Sequence, residues 1–201
     1  MARALSNKNM CDARFTVADF SGKWLATIGK PELRGAWIIF GESGSGKTHF
    51  ALQLLAYLSR FVDRVAYDTI EQGYSLSFQN SWNDANMGDL GNKVIILDKE
   101  QIPALRERLR KRKSPQVVVI DSITALVGFT RATFASLIDE FPAKLFIFIA
   151  HEEGGEPYPA VARHVRKLSE VKLRVEGFKA FPTTRFATAE GGGEEFVIWP
   201  E

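Results

Sequence analysis

Residues Gly41, Glu42, Ser43, Gly44, Ser45, Gly46, Lys47 and Thr48 restrict this chain more than any other segment of it. They follow the apolar run Ala36, Trp37, Ile38, Ile39 and Phe40, which reads as a buried strand. Beyond them Phe50, Leu54 and Leu58 recur at helical spacing. A strand, a glycine-rich turn and a helix in that order make a phosphate-binding loop. The glycines let successive backbone N–H groups converge on phosphate oxygens, Lys47 can reach the outer phosphates, and the Thr48 hydroxyl can join a Mg²⁺ shell. A bare tight turn would need the glycines but neither Lys47 nor Thr48. The expected cofactors are therefore ATP and Mg²⁺, cradled by residues 41–48.

The pattern around this loop alternates. Helical spacing is expected over residues 48–60, 72–83, 102–113 and 131–141, and strands over 64–68, 94–97, 117–120 and 145–149. Continuous apolar strands between helices indicate a mostly parallel α/β sheet, which binds ligands beyond the carboxyl ends of its strands. Later the chain changes character: 171–175 and 196–199 read as strands with Gly191, Gly192 and Gly193 at the intervening turn, an expected antiparallel extension. Residues 1–34 read as an N-terminal arm with one short helix within 15–29, and 35–201 as the nucleotide-binding domain.

With 201 residues the chain can bury one substantial core. Its 26 basic and 24 acidic residues nearly cancel, so overall charge says little about a nucleic-acid partner. A single cysteine, Cys11, excludes an intrachain disulfide and a multi-cysteine zinc site, and three histidines spread along the chain do not make a metal cluster. No apolar run has transmembrane length, and the first ten residues lack the apolar core of a secretory signal; an intracellular protein with no membrane partner is expected.

Strand ends supply the candidate chemistry. The run Val117 to Ile120 delivers Asp121 to the edge where a carboxylate can hold Mg²⁺ directly or through water. Glu71, just past the second strand, is the preferred group to activate water; Glu42 and Asp68 are the alternatives. His151, after Leu145 to Ala150, can sense the terminal phosphate. Asp98 and Glu100 also follow a strand but read more simply as surface residues.

The loop, the Asp121 strand and the late β-rich segment together resemble the RecA-like P-loop ATPases, a family that includes recombinases, replicative-helicase motor domains and circadian-clock-type ATPases. The resemblance runs from about residue 35 to 199, with the phosphate loop its most specific part. It implies that Glu71 activates water and that His151 couples nucleotide state to a polymer-binding loop. The glutamine usual at the latter position is absent, and Glu152 and Glu153 make the adjacent surface acidic. It also implies a homo-oligomer in which Lys179 or Arg185 enters a neighbour's site.

Arg163, Arg166 and Lys167 share a helical face after the segment holding Gly154, Gly155, Pro157 and Pro159, which reads as flexible. Tyr158 within it could stack on a base. Single-stranded or duplex DNA is the expected polymer, in recombination, repair or replication. A nucleotide-dependent regulatory assembly without nucleic acid is the alternative, and a nucleoside kinase is disfavoured because no acceptor lid is recognisable.

Overall fold

The computed structural model describes residues 4–199; expectations that touch residues 1–3 and 200–201 lie outside it. The strands are β1 (Gly35–Gly41), β2 (Val65–Thr69), β3 (Val94–Leu97), β4 (Val117–Asp121), β5 (Leu145–Glu153), β6 (Glu156–Tyr158), β7 (Val171–Glu176), β8 (Lys179–Thr184) and β9 (Phe196–Val197). They form one sheet in the order β3-β2-β4-β5-β1-β7-β8-β9, with β6 added to the end of β5. Pairings from β3 through β7 are parallel, whereas β7–β8, β8–β9 and β5–β6 are antiparallel. This is a mixed α/β fold with a mostly parallel centre and an antiparallel extension.

Side-chain alternation splits the interior into two cores. Trp37 and Ile39 of β1 join Tyr67 and Val119 on one face, under Phe50, Leu54 and Leu58 of α3 (Lys47–Leu58). Trp24 and Ile28 of α2 (Gly22–Ile28), which follows the short α1 (Asn7–Cys11), complete that core, so the N-terminal segment packs into the sheet. Ile38, Phe40, Val118, Ile120 and Phe148 face the other way. There α5 (Ile102–Arg110), α6 (Arg131–Glu140) and α7 (Ala160–Leu168) cover them; α4 (Leu76–Asp84) lies between β2 and β3 in the chain. Because the central strands are covered on both faces, their sequences read as unbroken apolar runs.

Several boundaries differ from expectation. α4 begins later than residue 72, since Gly73 turns at φ 63° and the Ser75 hydroxyl then caps the helix by accepting from the Phe78 N–H (3.3 Å). α5 ends at Arg110, leaving Lys111, Arg112 and Lys113 beyond it. Gly191 to Gly193 lie in the longer β8–β9 connection rather than in the turn that follows β7. There the Gly192 and Gly193 N–H groups donate to the Ala26 and Thr27 carbonyls (3.0 and 2.9 Å). The segment read as flexible is a hairpin. Gly154 and Gly155 take φ 59° and 80°, the left-handed pair that closes a tight two-residue turn, and β6 returns along β5 with Tyr158 opposite His151. No helix among the described residues is long and apolar enough to cross a membrane.

Candidate functional site

At the end of β1 the chain turns through Gly44 and Gly46, both left-handed (φ 76° and 100°), into α3. The loop is pressed against β7: a Cβ on Gly41 would lie 2.1 Å from the Val175 carbonyl oxygen. Lys47 is buried, with its Nζ donating to the Gly41 and Glu42 carbonyls (3.0 and 2.7 Å). Burial lowers its pKa, opposed by the charges of Asp121, Glu71 and Glu152. The Ser45 hydroxyl is buried with no hydrogen-bond partner among the described residues.

The Thr48 hydroxyl donates to Asp121 Oδ2 at 3.1 Å, and the buried Tyr67 hydroxyl donates to the same oxygen at 2.5 Å. Burial raises the Asp121 pKa, while these two hydrogen bonds and the Lys47 charge favour its ionised form. Tyr67 titrates well above its ordinary value through burial and the adjacent carboxylate.

Glu71 sits in the turn after β2, anchored by its N–H on the Asp121 carbonyl (3.0 Å). Its Oε2 accepts from the Ser122 hydroxyl at 2.5 Å, and Ser122 in turn contacts the Thr124 hydroxyl. His151 Nε2 lies 2.9 and 3.0 Å from the two Glu71 oxygens; an ionised carboxylate only accepts, so Nε2 carries the proton. Burial pushes the Glu71 pKa up, but the Ser122 and His151 hydrogen bonds and the His151 and Lys47 charges outweigh it and the net shift is downward.

These residues fit a magnesium nucleotide. The fit rests on the glycine cradle, the orphaned Ser45 hydroxyl, and the Thr48–Asp121 pair beside a buried lysine at a helix N-terminus. When bound, the metal would supply charge compensation for the phosphates. Sequence reasoning missed Tyr67, Ser122 and Thr124. The available signal was a phenol inside a fully buried strand, since a buried hydroxyl needs a partner.

Other candidates fall elsewhere. Asp68 points to the opposite face from Tyr67, where its Oδ1 accepts from the Glu100 N–H (3.1 Å); alternation along β2 takes it away from the loop. Glu100 is ion-paired with Arg108. Glu42 is exposed on the loop itself, with its carbonyl engaged by Lys47. Lys179 begins β8, and Arg185 follows its far end. Lys179 pairs with Glu195 (2.8 Å) beside the phosphate-loop edge, whereas Arg185 is exposed near Lys172.

Arg163, Arg166 and Lys167 of α7 line a cavity of ≈ 680 Å³ together with Arg131, His164 and Lys172. Within this face Arg166 is paired to Glu156 of the hairpin (2.7 Å). Tyr158 is half-exposed on β6. On α5, Arg106 and Arg110 share Glu140, and Arg108 pairs with Glu100.

No family model matches the chain. Among curated proteins it is 30% identical over 94 residues to the DNA repair and recombination protein RadB of Methanosphaera stadtmanae, a match covering 43% of this chain and 40% of that protein. Among solved structures it superposes on the flagellar accessory protein FlaH from Methanocaldococcus jannaschii with a TM-score of 0.62 and 18% identity, over 90% of this chain and 91% of that one. It also superposes on a second solved structure, an ATPase domain, with a TM-score of 0.54 and 14% identity, over 82% of this chain and 81% of that one. With a phosphate loop, an acidic strand end and a parallel sheet extended by antiparallel strands, the chain has the fold of the RecA-like P-loop ATPases.

Proposed function

We propose that this protein binds and hydrolyses ATP with Mg²⁺ and couples that cycle to DNA in recombination, repair or replication. One observation carries the reading: Lys47 and Thr48 of α3, Asp121 of β4 and Glu71 of the turn after β2 converge at the carboxyl edge of the sheet. Lys47 supplies charge for the phosphates, and Thr48 and Asp121 are the residues that would hold the metal. Glu71 is held as the carboxylate by Ser122 and His151, the state a general base needs. His151, which contacts Glu71, is also the register partner of Tyr158, and this gives the hairpin a direct physical link to the site.

The basic cavity beside that hairpin supports a DNA partner, because phosphate attraction needs clustered cations and no base-specific geometry. A homo-oligomer with Lys179 or Arg185 acting in a neighbour's site is part of the same proposal. Lys179, already paired beside its own loop, and the exposed Arg185 would serve different neighbours or different steps.

A second reading, a regulatory assembly that does not touch nucleic acid, is favoured by the acids that offset the basic surface: Glu156 on Arg166, and Glu152 with Glu176 on Arg174. Phosphate release measured with and without single-stranded and duplex DNA, alongside particle mass in ATP, separates the two. Stimulation by either DNA supports the first; ATP-dependent assembly with no DNA effect and no DNA binding at low salt supports the second.

A further inference from the structure

The sheet order puts β5 and β4 on one side of the phosphate loop and β7 and β8 on the other. Polar chemistry occupies the first side. On the second, Phe178 and Ile198 close on Gly46, and Trp199 packs on His49 three residues further along α3. Phe178, at the β7–β8 turn, has a ring carbon 3.1 Å from where a Cβ on Gly46 would sit, and Ile198 approaches the same point at 3.7 Å. The Ile198 N–H donates to the Phe178 carbonyl (2.9 Å), and Gln53 Nε2 donates to the Ile198 carbonyl (3.1 Å), which pins the segment after β9 onto α3. That pinning sets Trp199 against His49, with ring centroids 4.3 Å apart and planes tilted by 56°.

These rings are not spent on the core. Phe178 is 51% exposed and Trp199 50% exposed, although both are anchored from below. Phe178 also holds φ 55°, an uncommon backbone region for a bulky side chain that sets its ring at the loop. A nucleotide whose outer phosphates face Lys47, Asp121 and Glu71 must extend its sugar and base away from that cluster, toward the aromatic side.

Resting on the ATP reading above, we infer that Phe178, Trp199 and His49 form a stacking platform for the purine base of the bound nucleotide. Aromatic rings offer an apolar π-face to a base without demanding a particular hydrogen-bonding edge.

The test compares MgATP with magnesium tripolyphosphate, which has the phosphates and no base. Wild-type protein is set against a Phe178→Asn/Trp199→Leu double variant by calorimetry, with thermal melts as the folding control. Asparagine tolerates the left-handed backbone at 178, and leucine keeps an apolar side chain beside His49. The double variant should lose roughly five- to a hundredfold in ATP affinity while tripolyphosphate affinity stays the same. Independently, ATP but not tripolyphosphate should change the part of the wild-type tryptophan emission that disappears in Trp199→Phe.

Equal weakening of both probes, or unchanged ATP affinity together with an unresponsive Trp199, overturns the platform and leaves the ATP site standing. Should the variant fail to fold, the Trp199 emission of the wild-type protein decides alone. A wild-type protein that binds neither probe removes the ATP reading and the platform with it.

Discussion

On the β5 side of the phosphate loop the acids are tied: Asp121 to Thr48 and Tyr67, and Glu71 to Ser122 and His151. On the β7 side, Phe178 and Trp199 leave about half of their surface to water. The contrast fits the roles proposed for the two sides. A carboxylate that holds metal or activates water must keep one orientation and one protonation state, which takes converging hydrogen bonds. A stacking surface needs exposed area and a fixed height above the loop, and anchoring it from beneath leaves that area open.

The strongest way to break this comparison is to remove the function of a tied acid while leaving its bonds. Glu71→Gln keeps an oxygen for Ser122 and His151 but cannot accept a proton from water. Turnover should fall by roughly 10²- to 10⁴-fold with ATP affinity within a few-fold of wild type, read by steady-state phosphate release and calorimetry. Normal turnover would remove Glu71 as the group that activates water and move attention to Glu42.

Asp68 sharpens the same point as an acid that no such network reaches. It is fully buried, its Oδ2 has no partner among the described residues, and burial first of all pushes its pKa up to about 7, partly offset by the Glu100 N–H and the Arg108 charge. The folded state therefore holds the proton more tightly than the unfolded chain. This group costs nothing below the ordinary value of 3.8, costs stability increasingly as pH rises from there to about 7, and is level beyond. Asp68→Asn keeps the acceptor for Glu100 and should raise stability at pH 8 by about 2–4 kcal/mol, with the gain vanishing near pH 4. Denaturant melts across that range check it; a gain independent of pH would refute the buried-proton reading.

Tyr67→Phe removes one of the two bonds that orient Asp121 and no apolar packing. Magnesium dependence of ATP binding should shift to roughly 10- to 100-fold higher concentrations, and identical titrations would show that Thr48 alone suffices. The smallest effect is expected at the basic cavity. Arg163→Ala with Lys167→Ala should weaken DNA binding several-fold, equally for all sequences, and reduce the salt slope by about 1 for each phosphate these side chains neutralise. Anisotropy with labelled single-stranded and duplex DNA reads this, and an unchanged slope would place the polymer elsewhere.

The central strands and the residues they deliver were legible because a doubly covered parallel strand is an apolar run and the residue after it falls on the ligand edge. That locates Gly41 to Thr48, Asp121, Glu71 and His151 at one sheet edge with no knowledge of contacts. What joins them was not legible, since Tyr67–Asp121 and Glu71–His151 are pairings across the sheet that no local spacing encodes. β8 reads from sequence only as part of a late strand-turn region, for a different reason. Pro182 interrupts its pattern, and it is tolerated because β9 reaches only Lys179 and Ala180, leaving Pro182 on an open edge. The 154–159 hairpin reads as loop because its glycines and prolines carry opposite meanings in a flexible segment and in a tight turn.

Magnesium-dependent phosphate release from ATP, compared between wild type and Lys47→Ala, tests the proposed activity most directly. Wild-type protein should turn ATP over, and the variant should lose at least roughly a hundredfold, because the buried cation at the loop is what compensates the phosphates. Equal rates in the two proteins, or no nucleotide binding by either, would contradict it.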